Sequence, residues 1–288
     1  MAINVYNGDD DVEDAARLHM VDQLRTALTS DQFVVHYQPK IDLATGDVHS
    51  VEALVRWDHP IRGLLYPDAF LHLVEESGLM PTLTRVVLAQ ALDQASIWQA
   101  KGQPLTVAVN LSASSLVDTD LPKQVTSMLA ARSVPPSALH LEITEEFLMA
   151  DRDQARSILA RLRSTGVQIS VDDFGTGYSS LSYLRDLPVD ELKLDRSFVF
   201  PMVDDARAAA LVASTISLTH SLGLRIVAEG VETQAAFAEL TRLGCDQAQG
   251  YYMSTPVPAA ELDHWLSTRL APHKLSAMTP PLPFAAPG

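Results

Sequence analysis

The sequence predicts an α/β protein, a modified TIM-type (β/α)8 barrel in which one strand runs antiparallel to the rest. Three observations carry this expectation. Eight short apolar or alternating runs recur along the chain, amphipathic helical segments separate them from the second run onward, and the link between the first two is only Ala44-Thr45-Gly46-Asp47. A parallel pair needs a crossover of a dozen residues or more, so this short turn forces its two runs to lie antiparallel. At 288 residues with 47% hydrophobic content, the chain is long enough to close such a barrel as one domain.

Residues 1–30 read as an N-terminal linker and helix. The acidic run Asp9-Asp10-Asp11 precedes a helical pattern from Glu13 to Leu28 with Leu18, Val21, Leu24 and Leu28 as its apolar positions. The barrel is expected over 31–270, with strands near 33–39, 49–56, 105–110, 138–142, 167–172, 190–194, 224–228 and 246–249. Helical segments at 84–100, 153–164, 205–222 and 233–242 supply crossovers. The weakly polar stretch from Ala208 to Leu224 is interrupted by Ser214, Thr215, Ser217, Thr219, His220 and Ser221, so it reads as a helix with one buried face and not as a membrane span. Residues 271–288 carry Pro280, Pro281, Pro283 and Pro287 among Ala and Gly, a composition expected to be disordered.

A net charge of −15, from 36 acidic and 21 basic side chains, argues against a basic groove for polymeric nucleic acid and against an anionic membrane surface as partner. An anionic ligand would need metal ions or a few well-placed basic residues to be held here. Cys245 is the only cysteine, so no intrachain disulfide is possible. That fits a reducing cytoplasm, and no positively charged leader followed by an apolar run opens the chain.

In such a barrel the chemistry is expected where loops converge at the C-terminal ends of the strands. Polar residues stand at those ends: Asn110 after Leu105-Thr106-Val107-Ala108-Val109, Glu142 after Leu139-His140-Leu141, and Asp172 with Asp173 after Ile169-Ser170-Val171. Lys193, Glu229 after Ile226-Val227-Ala228, and Gln249 continue the series, and Glu52 lies within the second strand. One carboxylate at a strand end often does no more than cap the next helix. Five carboxylates gathered with amides at one barrel mouth repel one another unless protons or cations intervene. Hard oxygen donors suit Mg2+ or Mn2+, and no His or Cys cluster points to zinc. Asp172 is the natural bridge between two ions that activate water against phosphorus. Lys193 either positions that water, neutralises charge on phosphate oxygens, or pairs with its acidic neighbours. The run from Asp173 to Ser180 contains Gly175 and Gly177 and can turn tightly over the site. It lacks the Gly-Lys-Ser/Thr of a phosphate-cradling loop.

These residues stand in motifs that resemble the EAL-domain cyclic di-GMP phosphodiesterases. The signature reads Glu52-Ala53-Leu54-Val55-Arg56-Trp57, and with it come Tyr37-Gln38-Pro39, Asn110-Leu111-Ser112, Leu141-Glu142-Ile143-Thr144-Glu145 and Asp172-Asp173-Phe174-Gly175-Thr176-Gly177. Asp190-Glu191-Leu192-Lys193-Leu194-Asp195, Glu229-Gly230-Val231-Glu232-Thr233 and Gln249-Gly250-Tyr251 complete the set, in the family's order over roughly residues 20–268. The resemblance implies hydrolysis of cyclic di-GMP to linear pGpG with two ions, Mg2+ or Mn2+. It implies that Glu52, Asn110, Glu142 and Asp172 hold the first ion, and that Asp172 and Asp173, helped by Glu229, hold the second or order its waters. Lys193 would contact the nucleophilic water, Gln249 would support the metal and water shell, and Glu145 would tie down the loop from Asp173 to Ser180. Arg56 resembles the family's phosphate contact, Gln38, Leu54 and Tyr251 its substrate contacts, and Glu232 would lie near a guanine or the loop.

One local departure stands out. The family usually shows Pro-x-x-Phe-Ile-Pro-x-Ala-Glu where this chain reads Pro67-Asp68-Ala69-Phe70-Leu71-His72-Leu73-Val74-Glu75, which touches the packing of that helix and no metal ligand. The family couples the intact Asp173–Ser180 loop to dimerisation, so a homodimer is expected. The opening Val5-Tyr6-Asn7 and the acidic helix resemble the junction between a GGDEF and an EAL domain, so an upstream GGDEF or sensory domain is a further expectation. Two rival readings are a receptor that binds cyclic di-GMP without cleaving it and a metal-dependent barrel enzyme that abstracts protons beside a carboxylate.

Overall fold

A computed structural model describes residues 8–144, 152–175 and 181–269. Residues 1–7, the Pro-rich segment 271–288, Glu145, and positions 176–180 of the expected loop lie outside the described residues. The strands are β1 (Phe33–Asp42), β2 (Val48–His59), β3 (Gly63–Leu65), β4 (Thr106–Asn110), β5 (Leu139–Thr144), β6 (Gln168–Phe174), β7 (Glu191–Leu194), β8 (Arg225–Ala228) and β9 (Gln247–Ala248). They pair in the order β1-β9-β8-β7-β6-β5-β4-β2, and β1 pairs with β2 to close an eight-stranded ring. Strand β1 runs antiparallel to both neighbours while the other ring pairs are parallel, as the short turn at residues 44–47 requires.

Strand β3 is additional to the eight expected. It folds back antiparallel on the end of β2, through a turn in which His59 Nδ1 accepts from the backbone N–H groups of Ile61 and Arg62. Three residues are too few to leave a period in the sequence.

The helices are α1 (Gly8–Ala27), α2 (Leu71–Glu76), α3 (Met80–Ala100), α4 (Leu121–Ala131), α5 (Arg152–Ser164), α6 (Leu181–Asp186), α7 (Arg196–Val199), α8 (Ala206–Ser221), α9 (Gln234–Arg242) and α10 (Ala259–Arg269). Helix α1 packs on the barrel through buried Met20, Leu24 and Ala27, and its Arg17 pairs with Glu76 of α2. Helix α8 buries Val212, Ile216 and Thr219, the single buried face expected of it. No described helix is long and apolar enough to cross a membrane.

Two environments lie on opposite faces of the same strands. The apolar core sits between strands and helices, where Val107, Val109, Leu139, Leu141 and Ile169 join one buried cluster with Leu88 and Leu92 of α3, Leu129 of α4 and Leu159 of α5. The lumen is different. Buried Lys40, Ser50, Glu52, His140, Glu142, Glu191, Lys193 and Gln247 contact one another across strands that are not neighbours in the ring, as Lys40 of β1 does with Glu142 of β5. Branched apolar layers usually fill such a barrel. Here charge pairs do.

The same core continues over the β1–β2 side. The Trp57 ring lies 5.7 Å from Phe33, 5.9 Å from Phe70 and 4.8 Å from His59, and its Nε1 donates to Gln32 Oε1 at 3.1 Å. Phe70 and Val74 are fully buried, so α2 packs normally despite the departure at Leu71-His72-Leu73. Trp57→Ala should cost about 3–5 kcal/mol. The expected readout is a lower urea midpoint with an unchanged slope.

Candidate active site

Strand β7 is buried along its whole length, and it carries Lys193 to the centre of the barrel mouth. The ammonium lies 2.8 Å from Glu229 Oε1, 2.9 Å from Glu142 Oε2, 3.0 Å from Asp172 Oδ1 and 3.5 Å from Glu52 Oε2. Burial alone would strip its proton, but Asp172, Glu142, Glu229 and Glu52 together hold its pKa well above the usual lysine value. The lysine is a fixed cation.

Glu142 is fully buried and meets two ammoniums. Its Oε2 accepts from Lys193, and its Oε1 accepts from Lys40 at 2.6 Å. Burial works against its charge, yet Lys193 and Lys40 outweigh it and hold the carboxyl far below the ordinary range. Lys40 is also fully buried, 3.6 Å from Glu191 Oε1, and Glu191 in turn accepts from Ser170 Oγ and faces Arg225. His140 stands 3.9 Å from Glu191, and burial pushes its pKa down to about 4. None of Lys40, His140 and Glu191 was singled out in the sequence. The available signal was strand alternation: Glu191 and Lys193, like His140 and Glu142, are two apart and therefore share a face.

Asp172 and Asp173 are adjacent, so a regular strand would point them to opposite faces. Pairing of β6 with β7 shifts register between Val171 and Phe174, leaving the two aspartates opposite Lys193 alone. That is a bulge, and Asp173 takes the left-handed region at φ 53° within it. The Asp173 N–H donates to Asp172 Oδ1 at 2.9 Å. Oxygens of Asp172, Asp173 and Glu229 then lie within 4.8 Å of one another. Burial raises the pKa of Asp173, with Asp172 adding to the rise, and pushes that of Glu229 up to about 8 against the pull of Lys193. Glu229 is followed by Gly230 at φ 63°, where a Cβ would stand 2.4 Å from that of Arg196.

Glu52 closes the other side. Asn110 Nδ2 donates to its Oε1 at 2.8 Å, and Gln249 Nε2 to its Oε2 at 2.6 Å. Burial raises its pKa, and Glu142 raises it further. Gln249 Nε2 also reaches Gln38 Oε1, and Gln38 Nε2 donates to the Ser254 carbonyl. These bonds orient the Gln249 amide, whose Oε1 is buried with no hydrogen-bond partner among the described residues.

The structure thus brings together Gln38, Glu52, Asn110, Glu142, Asp172, Asp173, Lys193, Glu229 and Gln249. Arg56 stands further along β2 on the face of Glu52, with Nη1 donating to the Val55 carbonyl and its guanidinium 4.9 Å from the Tyr66 ring. Leu54, on the same face, is half-buried, while Tyr251 and Glu232 are exposed. Glu145 falls outside the described residues.

The EAL domain family matches residues 21–256. The bifunctional diguanylate cyclase/cyclic di-GMP phosphodiesterase MucR of Pseudomonas aeruginosa is 45% identical over 247 residues, which are 85% of this chain and 36% of MucR. The cyclic di-GMP phosphodiesterase NbdA of the same organism is 45% identical over 250 residues, 86% of this chain and 32% of NbdA. The chain therefore spans about a third of the length of these relatives. Among solved structures, the PaMucR phosphodiesterase in complex with c-di-GMP superposes with a TM-score of 0.81 at 45% identity, covering 86% of this chain and 99% of that one. The Xanthomonas citri FimX EAL domain in complex with c-di-GMP gives a TM-score of 0.80 at 25% identity, covering 86% and 97%. With this match over most of its length, and with the acidic mouth on the barrel, the chain belongs to the EAL domain family.

Proposed function

We propose that this chain hydrolyses one phosphodiester of cyclic di-GMP to give linear pGpG, using two divalent ions, Mg2+ or Mn2+, held at the barrel mouth. The observation behind it is four carboxylates gathered within 3.5 Å of one lysine, in a fold shared with relatives named cyclic di-GMP phosphodiesterases.

The residues fit such ions. Five carboxylates face two buried lysines, the pKa values of Glu52, Asp173 and Glu229 are raised, and Gln249 Oε1 is a buried acceptor without a partner among the described residues. A hard cation supplies the missing counter-charge. On this reading Glu52, Asn110, Glu142 and Asp172 hold one ion, and Asp172, Asp173 and Glu229 the other. Bound ions supply an acidified water and neutralise phosphate charge. The chain does the rest. Lys193 holds the attacking water and meets charge developing on phosphate oxygens. Gln249 orients the water shell from the rim, and Arg56, whose Nε has no partner among the described residues, takes the phosphate. Gln38, Leu54, Tyr251 and Glu232 contact the nucleotide, and Glu145 steadies the neighbouring loop.

The complete acidic set favours turnover over a receptor that binds without cleaving. A homodimer, a cytoplasmic location and, from the bifunctional name of MucR, an upstream GGDEF or sensory domain belong to the same proposal.

Purified protein incubated with cyclic di-GMP and Mg2+ or Mn2+ should yield pGpG on chromatography, and a chelator should stop it reversibly. Intact nucleotide with demonstrable binding would make the chain a receptor. Asp172→Asn and Glu52→Ala should lower kcat by at least about 100-fold, and Lys193→Ala should lower kcat more than it raises KM.

A pH dependence also follows. The Glu229 pKa of about 8 lies above the ordinary 4.5, so its contribution to stability is full below 4.5 and is lost as pH rises through 8. Glu142, held low, acts in the opposite sense and only at acid pH. Adding Mg2+ should therefore raise Tm more at about pH 8.5 than at about pH 5. Equal shifts in calorimetry at both pH values would contradict the assignment.

A further inference from the structure

Glu142 is gripped at both oxygens, and only one of them faces the acidic mouth. Oε2 accepts from Lys193 at 2.9 Å, the ammonium that also meets Asp172 and Glu229. Oε1 accepts from Lys40 at 2.6 Å on the inner side, and both side chains are at 0% exposure. Lys40 is itself held in place, 3.6 Å from Glu191, which is fixed by Ser170 at 2.9 Å and Arg225 at 3.4 Å. Resting on the reading that Glu142 is a cation ligand, we propose that Lys40 is a positioning residue that leaves Glu142 a single oxygen, Oε2, turned to the mouth and thereby sets which divalent ion the mouth accepts.

The argument is one of ion size. Mg2+ demands near-octahedral geometry at short distances and is commonly served by single carboxylate oxygens. Ca2+ gathers six to eight oxygens and readily takes both from one carboxylate. With Oε1 locked onto an ammonium, Glu142 can offer only Oε2. The mouth is then biased toward the smaller ion by a lysine that touches neither ion nor nucleotide, in the way outer partners of metal ligands tune a site. Releasing Oε1 would let Glu142 turn and present both oxygens.

Lys40→Met removes the donor and keeps an unbranched side chain of nearly the same length. It also removes a positive charge from beneath the site, which strengthens every divalent cation alike, so absolute affinity is not diagnostic. The ratio is. Calorimetric titration of Mg2+, Mn2+ and Ca2+ into nucleotide-free wild type and Lys40→Met should show the ratio of Ca2+ to Mg2+ affinity rising by about tenfold or more in the variant. A general loosening of structure would move both ions together. An unchanged ratio in a folded variant overturns this inference and leaves the metal site standing, whereas wild type that binds none of the three ions overturns both. A crystal structure of Mn2+-loaded wild type decides the matter even where the variant does not fold. Glu142 bound through Oε2 alone, with Oε1 still on Lys40, is the expected result, and Glu142 bound through both oxygens overturns it.

Discussion

A carboxylate taken out of water must be given back its counter-charge, and Glu142 is given two. Lys40 on β1 and Lys193 on β7 reach it on β5 from strands that do not neighbour one another in the ring. Removing one partner of a buried pair typically costs about 3–5 kcal/mol, because the other charge is stranded. The three strands are thereby bound to one register: a slip of one residue in any of them would turn its charge out of the lumen and into the apolar layer. The remaining acids then gather around a lysine whose position is already decided.

Placing charge in the lumen is tolerable because the stabilising apolar surface lies elsewhere. Strand residues such as Val107, Leu141 and Ile169 face outward into the helices, while Ser50, Glu52, His140 and Gln247 face inward. Each strand alternates between the two, so one pleated sheet serves a dry shell and a polar channel at once. Uncompensated negative charge collects at the mouth, around Asp172, Asp173 and Glu229. That asymmetry separates a structural pair at depth from an acidic cluster that needs cations.

The barrel was legible in the sequence because eight runs and their spacing repeat, and because Ala44-Thr45-Gly46-Asp47 admits only an antiparallel link. Most of the acidic mouth was legible for a related reason: Asn110, Asp172 and Glu229 interrupt apolar runs where a strand should end. Lys40, His140 and Glu191 were harder. An alternating polar residue in a strand reads as solvent-facing, and nothing local tells a lumen from a surface. The short strand Gly63–Leu65 left no period, and two consecutive aspartates do not reveal that both face one way. That last fact belongs to pairing with β7, which is a property of the closed sheet.

The bulge at Asp172 and Asp173 carries a consequence for how such a mouth is gained or lost. Two neighbouring residues face one partner there, so β6 holds one residue more than regular pairing with β7 requires. Deleting one aspartate would leave a strand that still pairs, an apolar shell that still closes, and a mouth short of a donor. Inserting one would do the reverse. One residue more or fewer at this bulge separates a full acidic cluster from an incomplete one, with no need to rebuild the fold between them.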